Sequence, residues 1–242
     1  MIRTLRARST NGISVFLYLA NFILAFHLFF TIYINSSFLN TFIDEGLVGP
    51  VWIVGSLLSV ISFLYISHIL RRIGNYRLLV ILTTLEFFAF IGLAVFKNTT
   101  IIISLFILYL ILYPLILFSI DIFFESYTTK ESSTGSVRGT LLTTTNVALI
   151  IAPLVTGFIL INNEYWKIYT VSALFLIPFL YLMLRFEKFK DPVYFDLQPL
   201  KTFKYIFKDK NLFNIFMAQF ILHLFFAWMV IYMPIYLHTY IG

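Results

Sequence analysis

No cysteine occurs among the 242 residues, so neither a disulfide framework nor a thiolate metal site is open to this chain. Charge is scarce as well. Asp, Glu, Lys and Arg make up 12% of the residues, against about 25% in an average soluble domain, too few to cover a water-facing surface. The four histidines are scattered at 27, 68, 223 and 238. With no Ser/His, paired-Asp or metal constellation in view, no enzyme and no cofactor are expected. Period-two alternation is missing, which argues against a transmembrane β-barrel.

What fills the chain is hydrocarbon: 60% hydrophobic residues with 29 Phe and a mean hydropathy of +0.93. It falls into seven runs, near 12–34, 47–67, 77–96, 100–124, 139–161, 166–184 and 212–238. Each approaches or exceeds the roughly 20 residues a helix needs to cross a bilayer. The expected fold is all-α, a polytopic membrane protein of seven helices. The basic start Met1–Thr10 is not a signal peptide, because the run behind it is too long for one and lacks a small-residue cleavage site.

The net charge of +6 reports topology. With the N-terminus in the cytoplasm, fifteen of the 17 basic residues lie inside, from Arg3, Arg6 and Arg8 through Lys130 and Arg185 to Lys210. Only Lys97 and Lys167 fall outside, as the positive-inside rule requires. An inner membrane with an anionic leaflet accounts for these cations, and nucleic acid does not enter. Two outer loops carry glycan-acceptor patterns at Asn35 and Asn98, of consequence only in a secretory host. Residues 186–210 form the one long polar stretch. There Leu200, Phe203, Ile206 and Phe207 take one side of a helical wheel and Lys201, Lys204 and Lys208 the other, which reads as an interfacial helix.

Several polar residues stand out within the runs. Glu86 sits in the middle of the third, with Thr83 one turn before it. A carboxyl there is neutral, paired or facing water, and it serves either as a proton-coupling group or as a hydrogen-bonded tie between helices. Asp121 and Glu125 share a face at the inner end of the fourth run. With Arg138, Arg71, Arg72 and Arg77 they form either a cytoplasmic charge cluster or a set of solvated interfacial charges. Gly139, Asn146, Pro153 and Gly157 stay within about 40° of one line on a helix of 100° per residue. Such a small-residue stripe lets another backbone approach closely.

Repetition gives the architectural clue. Ala20-Asn21-Phe22-Ile23-Leu24 in the first run returns as Ala218-Gln219-Phe220-Ile221-Leu222 in the seventh, and His27-Leu28-Phe29-Phe30 as His223-Leu224-Phe225-Phe226. Six spans, a long linker and a restart are the plan of a parallel repeat. The loop from Ser67 to Arg77 resembles the G-x-L-x-D-R-x-G-R-R pattern of the Major Facilitator Superfamily of secondary transporters. Arg72 and Gly74 match it, while Ser67 and Arg71 stand where the Gly and the Asp belong. Ala152-Pro153 with Gly157 resembles the family's G-P-x-x-x-G motif in span five.

The resemblance implies transport of a small solute by alternating access, with a proton gradient as the candidate driving force. Glu86 would then be the coupling candidate, and Asp121 or Glu125 would replace the missing loop acid. The cavity would be lined by Asn21, His27, Thr31, Tyr109, Tyr113, Gln219 and His223, a set suited to a neutral or amphipathic solute. The expected domains are a six-helix bundle at 1–185, a linker at 186–210 and, at 211–242, the first helix of a second bundle. The family has twelve spans and this chain seven, so the expectation is an incomplete transporter whose missing C-terminal helical bundle is its partner. The alternative is a seven-helix receptor or sensor, or a membrane scaffold, with a receptor's N-terminus outside.

Overall fold

A computed structural model describes the backbone of residues 2–127, 134–187, 189–195 and 198–237. Within these ranges the side chains are described from Val15 on, except at 134, 136, 137, 199 and 200. Lys130, Lys188 and His238, and the side chains of Arg3, Arg6, Arg8, Pro199 and Leu200, therefore lie outside the description.

Nine α-helices run through the described residues: α1 Ile2–Thr31, α2 Asn35–Asn40, α3 Glu45–Ile73, α4 Asn75–Val95, α5 Thr99–Tyr127, α6 Thr134–Ile159, α7 Tyr165–Met183, α8 Pro199–Lys208 and α9 Lys210–Tyr236. Seven stretches are long and apolar enough to cross a membrane, with α1 and α2 together supplying the first. The protein is an all-α, multi-pass membrane protein. Apolar runs become helices here because a bilayer offers backbone amides no other partner. For the same reason Pro50, Pro114, Pro153, Pro178 and Pro234 sit inside helices that they would break in water.

The breaks between helices have local causes. Gly74 lies between α3 and α4 with φ +77°, a left-handed backbone that side chains disfavour. A Cβ there would also stand 2.6 Å from Oδ2 of Asp191. Asn162 and Asn163, at φ +53° and +57°, turn the chain between α6 and α7, asparagine being the residue that best tolerates this region after glycine. Asp209 closes α8 and caps α9, its carboxylate accepting from the backbone N–H groups of Asn211 and Leu212.

Packing divides the helices into two repeats of three. α1 packs on α7 and α6, and α5 packs on α4 and α3. α4 also meets α7, and α1 meets α5. Exchanging α1 with α5, α3 with α6 and α4 with α7 maps this set of contacts onto itself. Two repeats of an odd number of spans must point in opposite directions through the membrane, which makes this an inverted repeat. α9 stands apart. Only 6% of its core window is buried, against 44% for α7, and its buried side chains are Val230 and Ile235 near its end. There it reaches α2, and a Cβ on Gly49 of α3 would meet the Tyr232 hydroxyl at 2.6 Å.

Two apolar cores lie one above the other inside the six-span unit. The one on the N-terminal side gathers Leu17, Leu24, Leu79, Ile116, Phe123, Leu176 and Phe179. The one on the far side gathers Phe30, Leu39, Phe90, Ile102, Phe106 and Tyr169. Between them runs a layer of buried polar groups.

Candidate functional site

Three helices contribute to that layer at equal depth: His27 of α1, Glu86 of α4 and Ser172 of α7, none of them exposed. His27 Nε2 lies 3.3 Å from Glu86 Oε1, and its Nδ1 lies 2.9 Å from both the hydroxyl and the carbonyl of Ser172. The Ser172 hydroxyl donates to the His27 carbonyl at 2.6 Å. That uses its only proton, so Nδ1–H must donate toward Ser172. One proton is then left between Nε2 and Oε1. Whichever atom carries it, the pair has no net charge, the condition under which a His and a Glu are tolerated in hydrocarbon. Phe90 lies against the imidazole at 4.4 Å between centroids. Glu86 Oε2 and Thr83 Oγ1 have no hydrogen-bond partner among the described residues.

A second polar tie lies toward the far side. The Tyr169 hydroxyl donates to Asn35 Oδ1 at 2.8 Å, and Asn35 Nδ2 points at the Tyr109 hydroxyl from 3.5 Å. Tyr109 stacks on Tyr113 at 6.1 Å. Asn35 is fully buried, so this match to the glycan-acceptor pattern is a packing residue that no glycan can reach. Asn98 is exposed and accepts from the backbone of Ile101.

The residues expected to line a cavity are therefore divided. His27, Thr31 and Tyr109 are buried inside the six-span unit, while Asn21 and Tyr113 are half-buried. Asn21 donates to Thr145 of α6 at 3.0 Å. Gln219 and His223 stand exposed on α9, the His223 ring lying 2.9 Å from the Gln219 carbonyl one turn back. The likeness of the first and seventh spans is thus one of sequence, while their surroundings differ.

The small-residue stripe also faces outward. Gly139, Asn146 and Gly157 are exposed, and a Cβ on either glycine would meet nothing within 4 Å. Close approach to α1 is made by the adjoining face of α6, where Ala148, Ala152 and Thr156 are buried. There Thr156 Oγ1 donates to the Phe30 carbonyl at 2.9 Å. On the N-terminal side, Asp121 has Arg138 and Glu125 as its charged neighbours. Arg71, Arg72 and Arg77 are exposed.

A different carboxylate meets the loop after α3, one that sequence reasoning missed. Asp191, in the segment following α7, accepts from the Asn75 backbone N–H at 2.7 Å and the Tyr194 hydroxyl at 2.6 Å, so it caps α4. Burial first, then the bond to Asp191 and its charge, raise the Tyr194 phenol above its ordinary value, which keeps it a donor. Asn75 in turn donates to the Ser119 carbonyl of α5 at 2.9 Å. Phe189 packs on Phe123 at 4.5 Å, and Arg185 lies 4.1 Å over the Phe16 ring, a cation–π contact.

Comparison with known proteins brings neither a matching family profile nor a matching curated relative.

Proposed function

We propose that the chain serves secondary active transport of a small solute, in the manner of the Major Facilitator Superfamily, as one part of the transporter, with α1–α7 as one of its two rocking bodies. The observation that carries this reading is the exchange of contacts between α1–α4 and α5–α7. Nested three-span inverted repeats are the build of each half of such transporters. In this reading the N-terminus is cytoplasmic, on the strength of the basic residues, and α9 belongs to the second body.

The outward faces of α6 and α9 support the reading. Thr143, Asn146, Gln219 and His223 are exposed within spans, and polar groups at membrane depth face protein or water rather than lipid. The stripe through Gly139, Asn146, Pro153 and Gly157 is then half of a seam between bodies. The solute would be held by amide, imidazole and hydroxyl groups, which suits a neutral or amphipathic molecule.

Glu86 takes the part of a tie. A proton carrier has to reach water on each side in turn, whereas Glu86 is fully buried, and Leu79, Leu82, Phe90 and Leu93, one and two turns to either side of it on α4, are buried too. The pair with His27 locks α1, α4 and α7 into one body. Movement then has to occur between bodies.

Water access at mid-membrane tests this. With no native cysteine, single cysteines at Asn146 and Gln219 should react with a membrane-impermeant thiol reagent in the cells that make the protein. Cysteines at Phe88 and Leu174, exposed apolar positions within spans that this reading turns to lipid, should not. Four equally unreactive positions would remove the aqueous path and favour a scaffold.

A further inference from the structure

We infer that α8 is an anionic-lipid-binding helix, fixed flat on the leaflet at the N-terminal side of the membrane. The first argument is tethering. A single residue, Asp209, separates α8 from α9, and it caps the α9 N-terminus with its carboxylate. The ring of Phe207 packs on Phe213 and Phe216 in the first turns of α9, at 5.7 and 6.4 Å between centroids. Because the stretch of α9 apolar enough to span begins at Lys210, only Asp209 lies between α8 and a membrane-crossing helix.

Charge and shape supply the second argument. Lys201, Lys204 and Lys208 are exposed within 60° of one another at 100° per residue. Phe203 is exposed and Ile206 half-buried on the side away from their centre, and Phe207 is exposed about 90° around from it. No acidic residue lies within Pro199–Lys208. An aromatic face with flanking lysines matches the acyl–headgroup boundary of a leaflet containing phosphatidylglycerol or phosphatidylserine, where each lysine near the surface strengthens binding about fivefold. A soluble acidic partner would need no aromatic side. The leaflet fits both. This inference is independent of the transport reading, since any multi-pass protein with this linker would show it.

The test uses the intact chain in bilayer discs, with a fluorophore on Thr202→Cys, an exposed position of α8. Quenching by brominated phosphatidylglycerol is compared with quenching by brominated phosphatidylcholine. Both lipids should quench, and the relative association constant should favour the anionic lipid at least about fivefold. In a Lys201→Gln, Lys204→Gln, Lys208→Gln variant it should fall to about one, with quenching by phosphatidylcholine retained. Equal preference in the unsubstituted chain would overturn the inference, as would full selectivity in the triple variant. Absence of quenching by either lipid would overturn it too, by placing α8 against something other than the leaflet.

Discussion

His27→Leu should destabilise the six-span unit by about 3 kcal/mol, near the lower end of what breaking a buried charged or hydrogen-bonded pair costs. Leucine removes both ring nitrogens, so Glu86 Oε1 joins Oε2 without a partner, and the Ser172 hydroxyl keeps only its bond to the His27 carbonyl. Glu86→Gln should cost much less, under about 1 kcal/mol. Its amide can donate to Nε2 where the shared proton was, and no charge is left behind. Substituting leucine at both positions should recover a large part of the loss, since replacing a buried pair by apolar residues of similar volume is often neutral. Unfolding midpoints in an SDS titration of the purified protein read all three. A Glu86→Gln loss as large as that of His27→Leu would mean that the shared proton sits on Nε2 and the pair depends on the carboxylate charge, and replacement by a neutral amide would fail.

Gly55→Val and Ala152→Leu should each cost about 2–3 kcal/mol, and for the same reason. A Cβ on Gly55 would stand 2.4 Å from Leu110 Cδ1 and 2.9 Å from Leu110 Cβ. The tip of leucine can turn away, but its Cβ is fixed to α5, so the two helices must separate. Overpacking of this kind costs 1–3 kcal/mol and occasionally more. Ala152 is fully buried where α6 meets α1, the contact that the repeat relates to α3 with α5. Small residues at both places let backbones approach, as transmembrane packing favours. Gly157→Val, on the outward face, is the control within the six-span unit and should leave the midpoint within about 0.5 kcal/mol. A neutral Gly55→Val would show that α3 is not seated on α5.

The spans were legible because hydrocarbon length alone selects them. Their ends were not. α3 runs to Ile73 and α5 to Tyr127, past the apolar runs, because a helix does not stop where the hydrocarbon does. The amphipathic helix was legible from the alternation of Lys and Phe, and α8 forms over the residues that show it. Glu86 stood out as a lone carboxyl, but its partner His27 lies 59 residues away along the chain, and Ser172 lies 145 residues from His27. One sequence does not say which helices touch. A usable signal was depth: His27, Glu86 and Ser172 all lie near the middle of their spans. Asn35 was read as loop because it follows an apolar run, yet two tyrosine hydroxyls hold it inside. Asp191 was hidden in the polar linker, where nothing local marks it as the cap of a helix more than a hundred residues earlier.

The central claim is that the exposed polar face of α6 fronts a path that opens to each side of the membrane in turn. Asn146→Cys tests it most directly, using right-side-out and inside-out vesicles from the cells that make the protein and an impermeant thiol reagent. The account predicts labelling from both sides, with Phe88→Cys labelled from neither. Labelling of Asn146→Cys from one side only, at any reagent concentration that spares Phe88→Cys, would contradict alternating access and leave a fixed, one-sided cleft.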